Sequence, residues 1–162
     1  MMKYNLELLK ADVEDELRKL ERLEEAFAAI APKLMLASNE VGDYDRGAIG
    51  YYLHNFYNGC EGIFRSISRF FENDLGPQTW HADLLKRMKL EIADYRPAVI
   101  DEELYRLLED FRGFRHVFRH SYSFELDWDR ECLVARKLPR AGALLRQQVE
   151  AFLGRLSEVE AD

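Results

Sequence analysis

Cysteine is scarce in this sequence: only Cys60 and Cys132 occur among 162 residues, and they lie far apart in the chain. Two cysteines cannot form the dense disulfide framework of a small secreted protein, so we expect free, buried thiols and a reducing compartment. Long apolar runs are also missing, and the N-terminal stretch MMKYNLELLKADVEDELRK is charged from its third residue onward. We therefore expect neither a signal peptide nor a membrane span, and a cytoplasmic protein.

Positive charge is in deficit over the chain as a whole. The 23 lysine and arginine residues are outnumbered by 30 aspartate and glutamate residues, which gives a net charge of −7. This balance argues against a protein that coats nucleic acid through a generally basic surface, but it does not exclude a local cationic cleft. Repeats, low-complexity tracts and linker-like segments are absent from the sequence, so we expect residues 1–162 to form one domain with its own core.

Strand-like alternation is nearly absent, and apolar residues recur at helical spacing instead. The first apolar stripe runs to Leu34 and predicts a long amphipathic helix that Pro32 kinks or ends. A second long helix is predicted to start at Asp43, as its N-cap, and to stop at residues 74–77. The length of these two helices suggests that two copies of the chain share a face.

Three further helical segments follow. The third helix is predicted to extend to Ile92 and to end before Arg96, and the fourth to run from Asp101 to about Tyr122. In the last helical region Pro139 either kinks the helix or opens a new one at its first position. The sequence therefore predicts an all-α, antiparallel bundle of about five helices, dimerising through its long helices.

The segment FRGFRHVFRHSYSF, residues 111–124, contains no aspartate or glutamate. It carries five cationic or potentially cationic side chains within nine residues: Arg112, Arg115, His116, Arg119 and His120. The C-terminal end of a helix favours positive charge through the backbone dipole. An imidazole can transfer a proton, and a guanidinium group can stabilise negative charge on phosphate oxygens. The combination therefore indicates phosphodiester chemistry.

The spacing of these groups places a condition on such a site. On a straight helix Arg115 and His120 point roughly 140° apart, whereas Tyr122 returns to the face of Arg115. The two groups can meet at one phosphate if the helix loosens near His120. They can also meet if two copies face each other across a two-fold axis. We favour the second arrangement.

Residues 115–122, RHVFRHSY, contain the pattern R-x4-H-x-Y. This pattern resembles the signature of HEPN-domain ribonucleases, and in particular their HepT branch. The resemblance implies an all-α HEPN-like homodimer that acts as a metal-independent endoribonuclease. Arg115 and His120 would then be catalytic, with a ribose 2′-hydroxyl attacking the adjacent phosphate of an RNA substrate. The other cationic groups are predicted to bind RNA phosphates, namely Arg112, His116 and Arg119.

The same resemblance implies a regulatory partner. Members of the HepT branch are toxins of two-gene, type VII-like toxin–antitoxin modules, and their antitoxin is an MntA-like nucleotidyltransferase. This partner would silence the toxin by attaching AMP to Tyr122, because added bulk and negative charge beside the cationic cleft would exclude RNA. No cofactor is expected.

Other interpretations of the cationic segment stay open. It can be an ordinary solvated helix end, or the fold can serve as a non-catalytic nucleotide-binding or scaffold partner of a nucleotidyltransferase. His116 and His120 have the i, i+4 spacing of two metal ligands, but no third ligand lies within helical reach and the neighbouring arginines repel a cation. We therefore predict no metal site.

Polar residues on the second helix are harder to interpret. The histidines outside the motif, His54 and His81, are isolated in the sequence and are predicted to be structural. Asn55, Asn58 and Glu61 could lie near the cationic segment, but nothing in the sequence requires it. We leave all of them out of the predicted site.

Overall fold

A computed structural model describes residues 2–71 and 80–161, with side chains at positions 5–71, 82–122 and 124–159. These residues form six α-helices and two short 3₁₀ helices, with no strand among them. In chain order the elements are α1 Met2–Ile30, a 3₁₀ helix Ala31–Met35, α2 Asp43–Phe71, α3 Trp80–Met88, α4 Glu102–Arg119, a second 3₁₀ helix Ser123–Glu125, α5 Trp128–Ala135 and α6 Leu138–Ala161. The predicted all-α fold is confirmed. Within the described ranges, no helix combines the length and the apolar character that crossing a bilayer requires.

Apolar side chains from all six α-helices meet in a buried core. The central helix is α2, which contacts α1, α3, α4 and α5. Its close approach to α1 depends on Gly59, since a methyl group at that position would lie 2.5 Å from Leu20 Cδ2. Cys60 and Cys132 lie in this core as free thiols, as predicted.

Proline and aspartate mark several helix ends much as the sequence predicts. Pro32 lies in the first turn of the 3₁₀ helix that ends α1, and Asp101 is the N-cap of α4. Pro139 opens α6 in its first turn, where no helical N–H bond is lost, so the predicted last region is two helices, α5 and α6. Asp43 lies inside the first turn of α2 instead of capping it. The predicted stop of helix two at residues 74–77 lies outside the described residues.

Helix α3 is shorter than predicted, because it ends at Met88 and Ile92 lies beyond it. Ile92 and Arg96 pair through two backbone hydrogen bonds of 2.9 and 3.0 Å, which close a tight turn. The guanidinium group of Arg96 is buried and donates hydrogen bonds to the carbonyl oxygens of Arg87, Leu90 and Pro97. The bonds to Arg87 and Leu90 satisfy carbonyl groups at or just beyond the helix end that a longer helix would have used.

Helix α4 also ends earlier than predicted, at Arg119 instead of near Tyr122. The backbone N–H of the next residue, His120, already bonds to the carbonyl of Val117, three residues back, at 3.1 Å. Tyr122 donates its N–H to the side chain of Glu125 at 2.9 Å, so a carboxylate replaces the carbonyl that a continuing helix would supply. Tyr122 therefore lies beyond the helix, and the helical spacing that would return it to the face of Arg115 does not extend that far.

Candidate functional site

The guanidinium group of Arg115 lies against α2 and is largely shielded from solvent. Its Nε donates a hydrogen bond to Asn58 Oδ1 over 2.7 Å, and its Nη1 lies 3.7 Å from Glu61 Oε1. Only 15% of the Arg115 side chain and 3% of the Glu61 side chain are exposed. Charge-assisted bonds of this kind are shorter and stronger than neutral ones, so α2 fixes the position of the guanidinium.

A histidine of α2 continues this chain of contacts. The Nε2 atom of His54 lies 3.0 Å from Asn58 Nδ2. The His54 ring also neighbours the ring of Phe118 on α4, with 5.5 Å between centroids. His54, Asn58 and Arg115 thus form a continuous polar connection from α2 to the last turns of α4.

The environment of His54 disfavours its charged form. Burial lowers the pKa of His54, and the positive charges of Arg115 and Arg119 lower it further. Glu61 acts in the opposite direction, with a smaller effect. A neutral imidazole therefore faces Asn58 near neutral pH.

The two histidines of the motif lie on the outer side of α4. His116 and His120 are both exposed, and their rings meet edge to face with 4.8 Å between centroids. No cluster of three or more residues able to bind a metal ion is present among the described residues. Within the same part of the chain, no hydrogen bond, ion pair or ring contact joins His120 to Arg115. The two predicted catalytic residues are therefore not joined by a polar or ring contact within one chain.

The two other arginines of the segment differ in their surroundings. Arg112 is paired with Glu109 through both Nε, at 2.8 Å, and Nη2, at 2.9 Å, and this hydrogen bonding raises the pKa of Arg112. Arg119 is exposed, and it makes no hydrogen bond or ion pair within the part of the chain that the structure describes. Arg119 is thus the more available cation for an incoming anion.

Tyr122 lies at the surface just after α4, with 71% of the residue exposed. Its ring stacks on that of Phe124, at 5.4 Å between centroids and an interplanar angle of 4°. Phe124 is itself 63% exposed. The aromatic pair therefore adjoins the cationic helix end and presents the tyrosine to solvent.

Three residues that the sequence prediction left out are joined to Arg115 in the structure: His54, Asn58 and Glu61. Their spacing of i, i+4 and i+7 places them on one face of α2, where they form a polar row. That row is a signal the sequence contains. Asn55 lies outside this row, and the side chain of His81 lies outside the described residues.

A family model described as HepT-like protein matches residues 48–156, which is more than half of the chain. The matched range runs from the first turns of α2 into the last turns of α6 and contains every residue of the site described above. Comparisons with curated proteins and with solved structures find no match.

Proposed function

The chain belongs to the HepT-like protein family, and on that premise we propose that it is a metal-independent endoribonuclease with the role of a toxin. The observation that carries the proposal is the end of α4. There a guanidinium group, Arg115, is held in place by α2, and an exposed imidazole, His120, follows where the helix stops. A fixed cation and an accessible proton carrier are the two groups that RNA cleavage without a metal requires.

In the proposed reaction a ribose 2′-hydroxyl attacks the adjacent phosphorus. The bond from the 2′-oxygen to phosphorus forms as the bond from phosphorus to the 5′-oxygen breaks, which leaves a cyclic 2′,3′-phosphate and a 5′-hydroxyl. His120 acts in proton transfer, and Arg115 stabilises the negative charge that builds on the non-bridging oxygens. Arg119, with His116 and Arg112, binds neighbouring phosphates.

We propose that the active form is a homodimer. Arg115 and His120 are not joined within one chain, and a two-fold axis near the end of α4 would bring the arginine of one protomer to the histidine of its partner. Helix α4 ends just before His120, but this end alone creates no hydrogen bond, ion pair or ring contact between the two side chains.

Regulation by a nucleotidyltransferase antitoxin of the MntA type completes the proposal. The high exposure of Tyr122 supports it as the site of AMP attachment, because a modifying enzyme must reach the phenolic oxygen. An adenylyl group there would add negative charge next to Arg119 and His120 and repel RNA.

The test is an RNA cleavage assay with the purified protein in EDTA. We expect the wild type to cut RNA, and His120→Ala and Arg115→Ala each to lose about a hundredfold or more in rate. Arg106→Ala is the matched control, because Arg106 is an exposed arginine at the other end of α4, paired with Glu102. In cells, the two site variants should relieve growth arrest. If both cut RNA as well as the wild type does, the catalytic assignment is wrong.

A second candidate function is a non-catalytic nucleotide-binding or scaffold partner of a nucleotidyltransferase. The observation that favours it is the low exposure of Arg115 and the acid beside it, since Glu61 already balances part of its charge. This function requires nucleotide or partner binding with no RNA cleavage at any protein concentration. A neighbouring reading frame that lacks the nucleotidyltransferase motif Gly-Ser…Asp-x-Asp would count against the toxin.

A further inference from the structure

The hydrogen bonds among Arg115, Asn58 and His54 can run in only one direction. Arg115 Nε always carries a hydrogen, so the atom of Asn58 that faces it at 2.7 Å must be the acceptor, Oδ1. The amide nitrogen of Asn58 then faces His54 and can only donate. His54 Nε2, at 3.0 Å, must therefore accept, which requires that this ring nitrogen carry no proton.

Protonation of His54 is incompatible with this arrangement. A charged imidazole has a hydrogen on both nitrogens, so Nε2–H would point at the amide hydrogens of Asn58. Rotating the amide by half a turn satisfies His54 but points the amide hydrogens at Arg115 Nε–H. In the first orientation the bond between Asn58 and His54 is lost, and in the second the bond from Arg115 is lost. A charged His54 thus competes with Arg115 for the one amide oxygen, and in the rotated orientation only the longer ion pair with Glu61 continues to hold the guanidinium.

We propose that Asn58 is a positioning residue for Arg115, and that its hold on the guanidinium weakens when His54 is protonated, because both side chains then compete for the single amide oxygen of Asn58. His54 thereby makes the geometry of the site depend on pH, although it does not itself touch the substrate. The consequence of this pH dependence for RNA cleavage rests on the proposed function, whereas the hydrogen bonds among Arg115, Asn58 and His54 do not.

The groups around His54 agree with a neutral ring. Two cations face it from α4, Arg115 and Arg119, and one acid, Glu61, faces it from its own helix. The carboxyl of Glu131 on α5 lies against Gly50, one turn before His54 on α2. The other ring nitrogen, Nδ1, is buried and has no hydrogen-bond partner within the described residues. A second proton would therefore place charge where burial and two guanidinium groups oppose it.

NMR of the purified full-length protein tests these hydrogen bonds directly. Long-range ¹H–¹⁵N spectra identify which ring nitrogen of His54 carries the proton, and the Arg115 Nε–H signal reports its hydrogen bond. We expect the proton on Nδ1, a titration midpoint below the ordinary 6.5, and a shift of the Arg115 signal at the same midpoint. A proton on Nε2, or an Arg115 signal that ignores the titration of His54, would overturn the proposal.

Substitutions at Asn58 separate positioning from folding. In Asn58→Asp a carboxylate can accept from both Arg115 and a protonated His54, so the His54 midpoint should move upward and the loss of the Arg115 bond at acid pH should disappear. In Asn58→Leu the Arg115 Nε–H signal should no longer shift when His54 titrates. Asn55→Ala replaces a half-buried asparagine of the same helix that lies outside the row. It should leave the His54 midpoint and the Arg115 signal as they are in the wild type. An unmoved His54 midpoint in Asn58→Asp contradicts the proposal.

RNA cleavage then distinguishes this inference from the proposed function. In an active wild type, kcat should decline as pH falls through the His54 midpoint. Asn58→Leu should lower kcat about tenfold to a hundredfold, with a smaller change in KM. The kcat of Asn58→Asp should not decline at the wild-type midpoint. If the wild type cuts no RNA while the NMR coupling is present, the proposed function fails and the positioning of Arg115 stands. If RNA is cut but the coupling is absent, the inference fails alone.

Discussion

The ring of Phe118 on α4 lies directly over Gly50 on α2. A methyl group built on Gly50 would lie 2.8 Å from Cε2 of that ring, and 3.3 Å from Oε1 of Glu131 on α5. The same ring neighbours His54. The last turns of α4, which carry the candidate site, therefore pack on α2 at a position where only glycine fits without displacing its neighbours.

Gly50→Ala should destabilise the fold, because the added methyl group pushes Phe118 and Glu131 out of their places. We expect a loss of about 1 to 3 kcal/mol in the free energy of unfolding, measured by urea denaturation. Gly154→Ala on α6 is the matched control, since nothing lies within 4 Å of the position of its added methyl group. That variant should gain about 0.5 to 1 kcal/mol from the better helix propensity of alanine. Equal stability of the two variants would contradict the close packing at Gly50.

Glu131 should make the stability of the protein fall as pH rises. Burial raises the pKa of Glu131 to about 8, against the smaller opposing effects of Arg46 and the Gly50 backbone. In the unfolded chain the ordinary value is 4.5, so the folded state binds the proton more tightly. The stabilisation is therefore fully present below pH 4.5 and is lost as pH rises through about 8, at no more than about 1.4 kcal/mol per pH unit.

Replacing that carboxyl with a neutral amide tests its titration. Glu131→Gln should flatten the dependence of unfolding free energy on pH between 4.5 and 8, and it should be more stable than the wild type above pH 8. Asp129→Asn changes an exposed acid of the same helix and should retain the slope. A slope that survives in Glu131→Gln means that another group causes it.

Arg119 should contribute more to RNA binding than Arg112. Arg112 is engaged by Glu109 through two hydrogen bonds, whereas Arg119 is exposed and makes no hydrogen bond or ion pair within the described residues. In a His120→Ala background, which prevents cleavage, Arg119→Ala should reduce the slope of log Kd against log salt by about 0.7, the value for one phosphate contact on single-stranded nucleic acid. Arg112→Ala should reduce it by less. Fluorescence anisotropy across a salt series measures both, and the reverse order would refute the assignment.

Tyr122 should be the residue that gains adenylate. We expect protein co-produced with its nucleotidyltransferase neighbour and ATP to increase in intact mass by one or more adenylyl groups. Tyr122→Phe should show no increase. Tyr51→Phe is the matched control, since Tyr51 is 58% exposed on α2, and it should be modified like the wild type. Equal modification of Tyr122→Phe would exclude this scheme of regulation.

The long helices could be predicted from the sequence because their apolar stripes and boundary residues are local signals. Pro32, Asp101 and Pro139 each act on the backbone within a turn of their own position. The end of α3 carries no such local signal, because it depends on the buried guanidinium of Arg96, which bonds to the carbonyl oxygen of Arg87 nine residues away. The end of α4 involves the side chain of Glu125, which lies beyond the helix and bonds back to the N–H of Tyr122.

In the candidate site, too, local features could be predicted from the sequence and long-range contacts could not. The motif residues could be found from their spacing, since all of them lie within one segment. The link from Arg115 to Asn58 could not, because it joins residues 57 positions apart and depends on how α4 packs on α2. The polar row on α2 is visible in the sequence, but only the packed structure shows which helix it faces.

The early end of α4 has a consequence for how an anion is recognised there. Proteins often capture phosphate with the backbone N–H groups at the start of a helix, but the final turn of α4 presents carbonyl oxygens, which repel negative charge. On the proposed function, an RNA strand that arrives at this end meets these carbonyl oxygens and depends on a few long cationic side chains for its attraction. Charge-neutralising substitutions or a single covalent modification there should therefore be enough to reverse that attraction.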